Sequence, residues 1–134
     1  MSDERRFVEL FEAQAENQRE MLKKGMYDDF VNSIKYESGF DVYIEGLPVD
    51  EPKLASYHIQ QLVSEIGEVL DADKRWKNFR NDKYDKNSKL EELADCFIVL
   101  MNICMFSGIS AEDLEKAIAD KENTIMRRII GYSK

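Results

Sequence analysis

The chain has 134 residues, is 43% hydrophobic and carries a formal net charge of −8. That length predicts one domain over 1–134 with enough apolar material for a core, and the acidic balance argues against general affinity for nucleic acid. No apolar run reaches the roughly 18 residues a membrane span needs, and the charged start MSDERR does not read as a secretion signal. Cys96 and Cys104, roughly 12 Å apart along one predicted helix, cannot bridge each other. A reduced, soluble, cytoplasmic protein is therefore expected, with neither membrane nor nucleic acid as partner.

Residues 4–25 place Phe7, Val8, Leu10, Phe11, Ala15, Met21 and Leu22 at helical spacing, with Gly25 as a stop signal. The polar side of this helix carries Gln14, Asn17 and Gln18. Amides both donate and accept, which suits reading a nucleobase edge; ordinary surface polarity is the other reading. Residues 26–52 are rich in glycine and proline towards their end and read as a short helix followed by loop, with a strand or hairpin arm in FDVYIEG at 40–46. From Lys53 to about Leu70, the residues Leu54, Ile59, Leu62, Val63, Ile66, Val69 and Leu70 form an amphipathic helix. The single histidine, His58, lies on it and is read as a packing or surface residue rather than a catalytic one. One histidine also excludes a ferritin-like di-iron site, which needs two.

Residues 71–88 break the periodicity and read as a loop with a helical turn, anchored by the lone Trp76. The stretch 71–89 is net positive inside an acidic chain, as a phosphate-binding rim would be, although a solvated charged loop has the same composition. Ser88 with Glu91 reads as a capping box for a helix that runs to Phe106. Beyond Asp95 nearly every position of it is apolar whatever its face, which predicts a helix buried all round. After Gly108, Ser110 and Asp113 form a second capping box, opening a last helix over 111–130 that packs through Leu114, Ala117, Ile118, Ile125 and Ile129 and ends in basic residues.

The chemistry lies in two acidic pairs. Glu65 and Glu68 sit three apart on one helix, and Glu92 and Asp95 sit three apart at the start of another. Residues i and i+3 share a helix side, so each pair can aim at a common point. Four carboxylates converging there make a hard-cation site suited to Mg²⁺ carrying substrate phosphates. Charges at the mouth of an apolar helix are costly to desolvate unless a cation offsets them. A dipole role at the helix N-terminus accounts for Glu91 and Glu92 but poorly for Asp95. Asn102, seven residues after Asp95, returns to the same side and could line the same pocket.

This ordered set, E-x-x-E at 65–68 followed by E-x-x-D at 92–95, resembles the all-α NTP pyrophosphohydrolase superfamily of MazG-like and dimeric dUTPase-like enzymes. KRWK at 74–77, QAEN at 14–17, GISAEDL after the third helix and the closing KENTIMRRIIGY are similar to it as well. The resemblance implies an all-α, MazG-like helical bundle whose four-helix core is completed by dimerisation, as a homodimer or dimer of dimers. It implies Mg²⁺, or Mn²⁺, held by Glu65, Glu68, Glu92 and Asp95 as catalytic and metal-binding residues. Lys74, Lys77, Lys121 and Arg127 become phosphate contacts, and Gln14, Asn17, Gln18 and Asn102 base contacts. The implied reaction converts a nucleoside triphosphate, dUTP or another pyrimidine deoxynucleotide first, to the monophosphate and pyrophosphate. Alternatives are a broad-specificity MazG-like enzyme, a phosphoribosyl-ATP pyrophosphohydrolase and, from another class, a non-catalytic helical dimerisation module.

Overall fold

The computed structural model of the chain describes residues 6–29, 32, 49–77 and 81–133. Among them are four long helices: α1 (Phe7–Lys23), α2 (Pro52–Ala72), α3 (Lys86–Met105) and α4 (Ala111–Ile130), with a 3₁₀ turn at Lys74–Trp76. The strand or hairpin expected at 40–46 lies outside the described residues. The architecture is all-α, as the family resemblance implies, and the four long helices fall where the periodicities predict them.

Local signals set the helix ends. α1 stops at Gly25, which takes φ 69° and lets the Met26 N–H reach back to the Met21 carbonyl and the Gly25 N–H to Leu22, closing the last carbonyls in a Schellman motif. Pro52 opens α2 behind Glu51, whose carboxylate accepts from the Lys53 N–H at 3.0 Å. α4 begins with the Ser110–Asp113 capping box that the sequence predicts. α3 begins earlier than expected. Its cap is Asp85, which accepts from the N–H groups of Asn87 and Ser88, so Ser88 lies inside the helix rather than before it. A carboxylate two residues before an N–H is as good a cap as a hydroxyl and brings a charge favourable to the dipole.

α2 and α3 make the most extensive helix contact, and α1 packs across α3 and the start of α4. The α2–α3 pair is antiparallel, pinned at one end by backbone bonds from Val49 N–H to the Met105 carbonyl and from Glu51 N–H to that of Phe106 (2.8 Å). Gly108 turns the chain beside this contact at φ 70°, a backbone conformation that residues with a Cβ rarely adopt; the space itself would admit a Cβ, which would stand 3.5 Å from that of Asp50. Leu54 and Phe106, both fully buried, fill the space behind the clasp. A second cluster of Phe11, Ala15, Cys104, Met105 and Ala111 joins α1, α3 and α4. Full burial of a side chain such as Leu54 contributes roughly 1.5–3 kcal/mol.

Two packing expectations need correcting. α3 is not buried all round, because Leu90, Leu93, Phe97 and Leu100 form an exposed stripe on it. α4 does not pack through Ile118, Ile125 and Ile129, which are exposed; it meets the rest of the chain through Ala111 and Leu114 near its start. An apolar position reports that a surface seeks cover, and one chain of this size supplies cover on only part of each helix.

Candidate metal centre and its surroundings

α2 and α3, held antiparallel, bring the two acidic pairs face to face. One carboxylate oxygen from each of Glu65, Glu68, Glu92 and Asp95 lies within 4.8 Å of the others. Glu65 and Glu92 are half-buried and Glu68 and Asp95 exposed, so the cluster opens to solvent on one side. Burial, then the hydrogen bond to Glu68 and the charges of Glu68, Asp95 and Glu92, raise the Glu65 carboxyl above its ordinary pKa. Glu92 is raised likewise, by burial first and then by Glu68, Asp95 and Glu91. Glu65 Oε2 and Glu92 Oε2 are shut off from solvent without a hydrogen-bond partner in the protein. Four hard oxygen donors, mutually repelling, two of them carrying an unpaired buried oxygen, fit a divalent cation of the Mg²⁺ or Mn²⁺ type.

The other predicted residues fall into groups. Gln14, Asn102 and Asn17 form one chain: Gln14 Nε2 donates to Asn102 Oδ1 at 2.8 Å, and Asn17 Nδ2 donates to Gln14 Oε1 at 3.3 Å. Gln14, Gln18 and Asn102 are buried, whereas Asn17 is exposed. Asn102 and Asp95 are both on α3, two turns apart, so this amide cluster lies along the helix from the carboxylates. Lys74 belongs to the 3₁₀ turn, and Lys77 caps it with its ammonium 5.4 Å from the Trp76 ring centre. Lys121 and Arg127 are exposed on α4, the helix that packs on α1. No ion pair among the described residues joins any of these four cations to the carboxylate cluster. Trp76 is anchored by its indole N–H to the Leu70 carbonyl (3.2 Å), while its ring is exposed.

Two features were not foreseen, the Asp73 clasp and the place of Cys96. Buried Asp73 accepts two bonds from Arg75 at 2.8 Å and one from Lys89 at 3.0 Å, and Arg75 lies over the Tyr84 ring at 3.8 Å. Arg75, against a smaller opposing effect of burial, holds Asp73 well below the usual carboxylate range. This clasp ties the 3₁₀ turn to the start of α3 and so fixes Lys74 and Lys77 relative to Glu92. Cys96 stands beside the cluster; burial, then the charges of Glu65, Asp95, Glu92 and Glu68, raise its thiol. Its place one turn after Glu92 was a signal available in the sequence. His58 is fully buried, stacked on Phe106 with ring centres 5.4 Å apart and edged by Tyr27 and Tyr57, so its expected packing role is what the structure shows.

A separate cleft of ≈ 370 Å³ lies between α1 and the start of α4, floored by Phe11, Ala15 and Met105, and none of the predicted site residues lines it. No helix among the described residues is long and apolar enough to cross a membrane. A protein-family model described as dUTPase matches residues 7–133. No curated protein and no solved structure matches the chain.

Proposed function

Because the chain belongs to the all-α dUTPase family, matched from residue 7 to residue 133, we propose that it is a divalent-metal-dependent pyrophosphohydrolase that converts dUTP, or another pyrimidine deoxynucleotide, to the monophosphate and pyrophosphate. The observation that carries this reading is the convergence of Glu65, Glu68, Glu92 and Asp95 within 4.8 Å. These four would hold Mg²⁺, with Mn²⁺ as a substitute. Such an ion neutralises phosphate charge, acts as a Lewis acid and lowers the pKa of water.

The chain's own groups divide the remaining work. One of the four carboxylates orients the attacking water and takes its proton; Glu65, with a buried unpaired Oε2 and a carboxyl pKa raised first by burial, is the candidate, and Glu92 shares both features. Lys74 and Lys77, positioned by the Asp73 clasp, contact the phosphates on the α2–α3 side. Lys121 and Arg127 complete the phosphate contacts when α4 is brought to the site by assembly. Gln14, Asn17, Gln18 and Asn102 receive the base, two helical turns from the cluster.

Assembly as a homodimer or dimer of dimers is part of the proposal. Ile59, Val63, Ile66 and Leu70 form an exposed stripe on α2, and Leu90, Leu93, Phe97 and Leu100 another on α3. Contiguous exposed apolar stripes at helical spacing suit further helices packed against them. The match to a dUTPase family favours this substrate over the broad-specificity and phosphoribosyl-ATP alternatives, and the carboxylate cluster favours an enzyme over a non-catalytic module. Pyrophosphate release measured across the deoxy- and ribonucleoside triphosphates tests the reading. Preference for dUTP, with dCTP second, is expected. Equal rates on purines and pyrimidines would replace it with the broad MazG-like activity.

A further inference from the structure

The far half of α4 finds no cover within its own chain. Leu114, Ile118, Ile125 and Ile129 recur at helical spacing and form one stripe along the helix, which Tyr132 extends just past its end. The stripe is covered at its start, where Leu114 packs against the cluster of α1, α3 and α4. Its continuation is bare: Ile125, Ile129 and Tyr132 are 51%, 61% and 75% exposed, and with Arg128 they line an open hollow. Large apolar groups exposed in a row, rather than scattered singly, mark a surface that another element covers.

A complementary surface lies beside the other end of the same helix. The ≈ 370 Å³ cleft between α1 and the start of α4 has its apolar floor of Phe11, Ala15 and Met105 and a rim carrying Glu12, Glu16 and Glu112. It follows α1 from Val8 to Arg19, roughly 16 Å or three helical turns. Arg19, on the same rim, is bonded to Glu16 at 2.6 Å. No ion pair among the described residues engages Glu12, Glu112 or Arg128.

Charge says what fits there. α4 is acidic in its first turn, at Glu112 and Asp113, and basic in its last, at Arg127 and Arg128. An apolar stripe with a basic edge therefore matches an apolar cleft with an acidic rim. The helix cannot serve its own cleft, because it is unbroken over 20 residues and its ends stand roughly 30 Å apart. A second copy of the chain can. A two-fold axis across the middle of α4, near Asp120, sets two such helices antiparallel and lays each basic end beside the other's acidic start. The contact is then reciprocal and closes on itself, as a two-fold interface does.

We propose that the end of α4 is an exchanged arm: Ile125, Ile129 and Tyr132 of one copy fill the α1–α4 cleft of a second, with Arg128 against Glu12, Glu16 and Glu112. This surface uses other helices than the exposed stripes of α2 and α3, and it does not depend on the hydrolase reading.

The test places a photoreactive benzoylphenylalanine at position 132 of the full chain. Chains of natural and heavy isotope content are mixed and irradiated, and the cross-linked peptides are identified by mass spectrometry. Light-to-heavy cross-links onto residues 8–19 or 109–112 are expected. Cross-links onto α2 or α3 instead, or within single copies only, overturn the proposal. Ile125→Ser with Ile129→Ser changes only exposed side chains, so helical circular dichroism should be unchanged. Self-association measured by sedimentation equilibrium should weaken at least about tenfold in that variant. Arg128→Glu should weaken it too, and adding Glu12→Lys should restore part of the loss. A chain that stays monomeric at every concentration, or an assembly that these variants leave untouched, overturns the proposal. Pyrophosphate release plays no part in either readout, so the hydrolase reading stands or falls separately.

Discussion

Gln14 and Asn102 offer the sharpest test of whether the base end of the site is organised as described. Their bond is short, at 2.8 Å, and both side chains are more than nine-tenths buried. Gln14→Met keeps the side-chain volume and leaves Asn102 Oδ1 buried without a donor, which costs about 1–3 kcal/mol. Asn102→Leu strands the Gln14 amide in the same way, at similar cost. The double variant has nothing left to strand, so its loss should fall short of the sum of the single losses by about 1–3 kcal/mol. Asn17 loses its acceptor when Gln14 is replaced, but it is exposed and water takes over, so it adds little. Urea unfolding followed by circular dichroism, with m-values checked for constancy, gives the four stabilities. Strict additivity would show that the two amides do not share a buried bond and would remove the pre-formed amide cluster from the account.

Further outcomes follow from the carboxylates and the clasp. Glu68→Gln or Asp95→Asn should abolish Mg²⁺-dependent pyrophosphate release while leaving the thermal midpoint in EDTA equal or higher, because one of four mutually repelling charges is removed; near-normal turnover would refute the site assignment. Glu65 and Glu92 have raised carboxyl pKa values in the folded chain, so their stabilising contribution is complete below the ordinary value of 4.5 and is lost as pH rises through the folded value. A divalent cation binds the ionised cluster, so Mg²⁺ should raise the melting temperature more at pH 7 than at pH 5; an equal rise at both would contradict the assigned ligands. Asp73→Asn should weaken the clasp and destabilise the chain at neutral pH, the difference from the unmutated protein shrinking as pH falls toward Asp73's depressed value; a constant difference across that range would show that its charge is not what holds the turn.

The helices and the four carboxylates were legible in the sequence because both rest on local spacing. Glu65–Glu68 and Glu92–Asp95 share helix sides by geometry alone, and α2 and α4 fall within a residue or two of their expected bounds. The start of α3 was misplaced because two competent caps, Asp85 and Ser88, lie three residues apart, and only the path of the loop selects Asp85. Pattern alone overstated the burial of α3 and of the far end of α4, since apolarity does not tell whether the cover comes from this chain or another. The Asp73–Arg75–Lys89 clasp and the burial of His58 against Phe106 depend on residues far apart in sequence, 16 for Asp73 and Lys89, and no periodicity announces such pairs. Gln14 and Asn102, predicted separately, are brought into one bond only by the packing of α1 on α3.

The central claim is that the carboxylate cluster of α2 and α3 supports metal-dependent cleavage of a nucleoside triphosphate to monophosphate and pyrophosphate. Its most direct test is to incubate the purified chain with dUTP and Mg²⁺ and to resolve the products, with an EDTA control. The account predicts dUMP and pyrophosphate in equal amounts, and none in EDTA. Release of orthophosphate with dUDP, or turnover that EDTA leaves untouched, would contradict it.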